Sequence, residues 1–296
     1  MTLWTTVAQH IARVTGLDYV AQPVMSLAGG CINSAYRITD GRQDYFVKVN
    51  AASDTAMFEA EAAGLKELGA TGAVKVPRPI CWGQAEEYVY LVLEYLSLKP
   101  VDSAGLASLG RRLAALHRMV RPYFGWTQDN TIGATPQYNP PSQDWIAFWR
   151  QHRLGYQLQL AAKQGYGGAL QRKGESLVAQ LEGFFVDYTP VACLLHGDLW
   201  GGNVACDKSG DPVIFDPAPY YGDREADLAM TELFGGFGPE FYAAYREAYP
   251  LSDGYGTRRI LYNLYHIINH LNLFGRSYLA QAERMMDHLL SVIKRQ

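Results

Sequence analysis

Phe58, Glu61, Leu65 and Leu68 recur at helical spacing, so a carboxylate stands in the middle of an apolar helix face. Burying an ionised carboxylate alone is costly, and such a face packs only if an opposite charge comes with it. The preceding segment offers one. Tyr45-Phe46-Val47-Lys48-Val49 reads as a strand of alternating character that carries a lysine. A lone strand lysine is ordinarily a solvated residue, but here the following helix supplies its partner. The strand and the helix must therefore pack with Lys48 toward Glu61. Glu59 falls elsewhere on the helix and is not the expected partner.

The elements around this pair fall into two parts. Residues 3–15 read as a short helix, followed by a strand-like stretch, a second strand at 35–39 and a hairpin turn at Asp40-Gly41. The helix bearing Glu61 begins near Ser53 or Asp54 and ends near Gly69, and strands follow near 80–82 and 88–94. Beyond these the pattern turns helical. Leu106, Leu109, Leu113, Leu116 and Val120 share one helical face. Residues 127–144, rich in Pro, Gln and Asn, read as a loop. Helices are expected over 144–164 and 174–186, and Ile260, Leu264, Ile267, Ile268 and Leu271 stripe a late helix. This predicts an α+β chain with a small antiparallel β-sheet lobe, residues 1–95, and a larger, mostly helical lobe, residues 96–296. The 296 residues are 48% hydrophobic and 19% charged with a net charge of -3, which disfavours disorder, nucleic-acid binding and anionic lipid surfaces. Cys31, Cys81, Cys193 and Cys206 lie far apart and form neither a zinc nor a disulfide pattern, which fits a reducing cytoplasm. Neither a signal peptide nor a membrane span is expected.

Residues 196–203 read His-Gly-Asp-Leu-Trp-Gly-Gly-Asn, and Val213-Ile214-Phe215-Asp216 is an apolar strand ending in a carboxylate. The turn Asp207-Lys208-Ser209-Gly210 lets 204–206 pair with 213–215, which brings Asn203 and Asp216 to one end of a hairpin. An amide oxygen and a carboxylate there suit Mg2+, and Asp198 can orient a substrate hydroxyl and accept its proton. The layout is that of the kinase pattern His-Arg-Asp-Leu-x-x-x-Asn followed by a metal-binding Asp. In that pattern Lys48, held by Glu61, reaches the α/β-phosphates of ATP. Gly29-Gly30 would bring backbone N–H groups close to phosphate, and the backbone of Glu94 and Leu96 would meet an adenine edge. Singly, each has a plain alternative: a tight turn, a strand-end cap, a pair of turn glycines or a buried strand. Their order along the chain is what points to a nucleotide. His196 is expected to fix the loop rather than act as a base. His117, His266 and His270 are weak ligand candidates, Glu225 and Asp227 are expected to support the loop or cap a helix, and the aromatic stretch 145–149 is expected to be core.

The chain resembles the fructosamine kinase, or ketosamine-3-kinase, family within the aminoglycoside/choline kinase-like group of the protein-kinase-like fold. The resemblance rests on Gly29-Gly30-Cys31-Ile32-Asn33, Phe46–Asn50, Phe58–Glu61, Ile132–Gln137 and Asp144-Trp145. It continues through His196–Asn203 with Trp200 after the leucine, Asp216-Pro217-Ala218 and Tyr221–Glu225. It implies ATP- and Mg2+-dependent phosphorylation of the sugar 3-hydroxyl of small-molecule or protein-bound ketosamines, in deglycation, by a cytoplasmic monomer or weak dimer. Trp200 would give the sugar a flat apolar wall, with Gly201-Gly202 leaving room behind it. Cys31, beside the glycines, is a candidate redox switch. A phosphotransferase for an aminoglycoside or amino alcohol, or a non-catalytic ATP-binding protein, are the competing readings. The set Lys48, Glu61, Asp198, Asn203 and Asp216 argues against the last.

Overall fold

A computed structural model describes residues 2–27, 33–51 and 55–294. The expected glycine loop, Gly29 and Gly30, the thiol of Cys31 and the expected helix start at Ser53 or Asp54 lie outside the described residues. In chain order the elements are α1 (Leu3–Thr15), β1 (Val24–Leu27), β2 (Ser34–Thr39), β3 (Asp44–Ala51), α2 (Thr55–Ala70), β4 (Pro79–Ala85), β5 (Tyr88–Glu94) and α3 (Ser103–Leu116). They continue with β6 (Asn130–Ile132), β7 (Thr135–Gln137), α4 (Trp145–Trp149), α5 (Gly155–Lys163), α6 (Ala169–Val178) and β8 (Cys193–Leu194). Last come β9 (Val204–Cys206), β10 (Pro212–Ile214), β11 (Tyr221–Gly222), α7 (Glu225–Leu233), α8 (Pro239–Ala248), α9 (Tyr255–Phe274) and α10 (Leu279–Ile293). The chain divides into two units, Met1–Gly105 with Val204–Pro217, and Leu106–Asn203 with Ala218–Gln296. The division expected after residue 95 falls inside the first.

The first unit is a five-stranded sheet in the order β1-β2-β3-β5-β4, antiparallel throughout. Strand alternation gives it two apolar faces. Tyr45, Val47 and Val49 of β3, with Tyr90 and Val92 of β5, pack on Val7, Ala8 and Ile11 of α1. Val89, Leu91 and Leu93 of β5 point the other way, onto Phe58, Ala62 and Leu65 of α2, with Phe46 beside them. Lys48 shares the parity of Phe46 and so faces α2. Burial of Phe58, Leu65 and Leu68 contributes about 1.5–3 kcal/mol each, whereas a buried ion pair is often close to neutral in net stability. The apolar face therefore holds α2 on the sheet, and the Lys48–Glu61 pair closes within it at 2.6 Å.

The β9–β10 hairpin forms as expected, with Val204 opposite Ile214. It counts with the first unit because main-chain bonds tie it there. Ile214 N–H donates to Lys75 O, Lys99 and Cys206 exchange N–H···O bonds of 2.8 and 2.9 Å, and Lys75 Nζ reaches Asp207 Oδ2 at 2.6 Å.

In the second unit α9 is the central helix, burying Leu264, Ile267, Ile268 and Leu271, and α7 and α10 pack on it. Leu106, Leu109, Leu113 and Leu116 of α3 are buried as expected, but Val120 lies past the helix end and is exposed, bridged instead to Cys193. Residues 127–144 are more than a loop: β6 and β7 pair there, and Asn130, Gln137 and Asn139 are buried. Their polarity reads as solvent-facing in sequence because hydrogen bonding, not hydropathy, places them inside. Trp145, Phe148 and Trp149 are core, as expected.

His266 of α9 is also buried, and its pKa falls from the ordinary 6.5 to about 3 through burial and the neighbouring His270. Below pH 6.5 the unfolded chain takes up a proton that the folded histidine refuses. Stability is thus present above that pH and lost as pH falls toward about 3. Urea midpoints should drop with acidification from pH 6.5 and drop less steeply in His266→Gln. Equal slopes in both proteins would remove His266 as the cause.

Candidate active site

In the first unit the Lys48 ammonium lies between two carboxylates, with Glu61 Oε1 and Asp216 Oδ1 each accepting at 2.6 Å. Burial works to lower the lysine pKa, but the charges of Asp216 and Glu61 outweigh it and hold it above its ordinary value. Burial pushes the Glu61 carboxyl up, with the Lys48 charge opposing. The helix-face choice of Glu61 is the geometry observed, and Glu59 is exposed. Asp216 follows β10 and takes a left-handed backbone, φ 56°, which an L-residue other than Asn or Asp adopts at a cost. No sequence signal announces that conformation. Its side chain is 48% exposed, so a carboxylate beside the lysine remains accessible to ligand.

In the second unit, residues 195–197 run along 218–220. Leu195 N–H donates to Tyr220 O, and Ala218 N–H donates to His196 O. Gly197 has φ 82°, and a Cβ there would lie 2.0 Å from Ala218 O, so only glycine lets the two segments approach this closely. On the other side the buried Asp227 carboxylate of α7 accepts from His196 N–H at 2.7 Å and Gly197 N–H at 2.8 Å. His117 Nε2 lies 3.2 Å from Asp227, and its Nδ1 is 2.8 Å from the Tyr245 hydroxyl. Burial alone would raise the Asp227 carboxyl. The His117 and His196 rings and the Gly197 donor outweigh burial and hold it below the ordinary carboxylate range. Asp227 is therefore the loop support, while Glu225 forms a buried two-pronged pair with Arg258. His196 is fully buried, and its Nδ1 faces the Asp198 N–H at 3.3 Å, a loop-fixing contact.

Asp198 is half-buried. The Asn203 amide donates Nδ2–H to Asp198 O at 2.9 Å and to Oδ2 at 3.3 Å, so its nitrogen is committed to Asp198. Among the described residues no group of three or more His, Cys, Asp or Glu is placed to hold a metal ion by itself. The Asp216 carboxylate and the Asn203 amide are oxygen donors of the kind Mg2+ takes when phosphate and water supply its other ligands.

Glu94 closes β5. Its N–H donates to Arg78 O and its carboxylate accepts from Arg78 N–H. Leu96 lies just past the strand, partly buried. Trp200 is 39% exposed and meets Phe234 edge to face. The room behind it is not open to substrate: a Cβ on Gly202 would lie 2.2 Å from the Trp200 ring, so the glycine makes space for the indole itself.

An antiparallel sheet with a Lys–Glu pair beneath a helix, and a helical unit carrying a His-Gly-Asp loop, define a protein-kinase-like fold. The chain belongs to the fructosamine kinase family, whose family model matches residues 3–292. A protein named as a probable ketoamine kinase from Synechocystis sp. is 49% identical over 290 residues, covering 98% of this chain and 97% of that protein. The chloroplastic protein-ribulosamine 3-kinase of Arabidopsis thaliana is 43% identical over 272 residues, covering 91% and 83%. A crystal structure assigned as a fructosamine-3-kinase from Haemophilus somnus superposes with a TM-score of 0.89 at 29% identity, covering 98% of this chain and 100% of that one. An aminoglycoside phosphotransferase shares the fold, with a TM-score of 0.65 at 16% identity, covering 97% and 98%.

Glu61→Ala should leave Lys48 with one carboxylate and depress phosphotransfer strongly. Glu59→Ala, at an exposed position, should change stability by less than about 0.5 kcal/mol. Kinetics and urea melts on the two variants would reverse the assignment if Glu59→Ala proved the more damaging.

Proposed function

We propose that this chain transfers the γ-phosphoryl group of ATP to the sugar 3-hydroxyl of ketosamines, including adducts on protein amines. The reading is carried by membership of the fructosamine kinase family together with a half-buried Asp198 on a loop fixed from two sides. Asp198 orients the acceptor hydroxyl and takes its proton as the oxygen–phosphorus bond forms and ADP leaves. Lys48, steadied by Glu61, holds the α/β-phosphates. Asp216 and Asn203 hold Mg2+, which supplies charge neutralisation on the phosphates when bound. The Glu94 carbonyl and the Leu96 backbone meet adenine, and Gly29-Gly30 lie over the phosphates. Trp200, partly exposed beside Phe234, offers its face to the C–H surface of the sugar. Among the described residues no helix is long and apolar enough to cross a membrane. A cytoplasmic monomer or weak dimer that relieves amines of sugar fits the reaction.

Asp198→Asn should keep the fold and nucleotide affinity while kcat falls by about 100- to 10,000-fold. Near-normal turnover in that variant would falsify its role as base. Trp200→Leu should raise the ketosamine KM, or lower its kcat/KM, and spare ATP binding. A fall in thermal stability with equal damage to both substrates would make Trp200 a packing residue. A panel of fructosyl, ribulosyl and erythrulosyl amines, with an aminoglycoside as comparison, tests the acceptor class. Preference for the aminoglycoside would overturn it.

A further inference from the structure

Behind the segment that carries the His-Gly-Asp loop lies a chain of buried amides. Gln137, at the end of β7 and 1% exposed, donates from Nε2 to Ala218 O at 3.2 Å and to Asn130 Oδ1 at 2.9 Å. Its Oε1 accepts from the Tyr265 hydroxyl at 2.8 Å. Asn130 donates to Pro219 O at 2.8 Å, and Asn139 donates to Asn130 Oδ1 at 3.0 Å. Arg153, fully buried, donates to Asn139 Oδ1 at 2.6 Å and lies 4.1 Å over the Tyr220 ring. Ala218, Pro219 and Tyr220 are thus each gripped by one member of the chain.

The direction of this chain is fixed at both ends. A guanidinium can only donate, and the carbonyls of Ala218 and Pro219 can only accept, so every amide between them has one allowed orientation. Gln137 must present its NH2 to Ala218. Ala218 in turn donates to His196 O, and its carbonyl is the atom against which Gly197 is packed.

We propose that Gln137 is a positioning residue for the transfer step, setting the height of the His196-Gly197-Asp198 loop through the Ala218 peptide. This rests on the reading of Asp198 as the base. A shift of the order of 1 Å at a reacting group costs about 100-fold in rate. A misplaced loop therefore shows in kcat before it shows in binding.

Two variants test it. Gln137→Leu removes the donor at similar bulk. Gln137→Glu is isosteric but sets acceptors against Ala218 O and Asn130 Oδ1 until its carboxyl is protonated. Both should lower kcat by about 10- to 100-fold while KM for ATP and for a fructosyl amine stays near wild type. Gln137→Glu alone should regain turnover between pH 8 and pH 6 (roughly the range into which burial lifts a carboxyl) as the protonated acid donates to Ala218 O. Adding Gln137→Leu to Asp198→Asn should cost nothing further, because the two act as one unit. Wild-type kcat with a lowered melting temperature, no gain on acidification in Gln137→Glu, or a multiplicative loss in the double variant would each overturn the proposal. If Asp198→Asn alone retains full turnover, it is the base assignment that falls.

Discussion

The α2 face of the first unit's sheet is built around one buried ammonium. Lys48 is nearly inaccessible, and a charge in that setting persists only because Glu61 and Asp216 both reach it at hydrogen-bond distance. The parity of β3 points the lysine to the α2 face, and the apolar stripe of α2 brings Glu61 there. The β9–β10 hairpin, fastened through Lys75 and Lys99, delivers Asp216. No single element could do this. The apolar contacts supply the stability, while the buried ions are close to neutral in net terms.

The second unit treats its loop in a comparable way with neutral groups and one carboxylate. Asp227 takes two consecutive backbone N–H groups, Ala218 N–H donates to the His196 carbonyl between them, and Gly197 removes the side chain that would keep the segments apart. A loop held at its own backbone has little freedom to move its side chain off target, which is the property a positioned acid–base group needs.

The pairing of Lys48 with Glu61, the hairpin before Asp216 and the strand pattern of the small sheet were legible because each follows from a short-range period. Alternation by two and recurrence by three or four are visible in any window. Asp227 was only half legible: its place near the loop could be guessed, but not that it takes His196 N–H and Gly197 N–H. Gln137 was not legible as a buried residue at all, since the Ala218 carbonyl and the Tyr265 hydroxyl that hold it are distant in the chain. The left-handed backbone of Asp216 has no compositional mark, since Asp is one of the few residues that conceals it. Val120 shows the opposite failure, a helical spacing that continues past the helix end.

Lys48 and its second carboxylate are separated by 168 positions in the chain. At ribosomal speeds of about 5–20 residues per second, the lysine waits roughly 10–30 s for Asp216 to be made. The sheet that emerges first can complete its apolar packing and its pairing with Glu61, but not its full set of charges. Its last structural member arrives only after most of the other unit has been synthesised. The first unit is therefore early in the gene and late in maturity. A chain that stalls between Gly105 and Val204 would present a nascent lobe with its lysine half-compensated and the backbone of Lys75 and Lys99 still waiting for the hairpin.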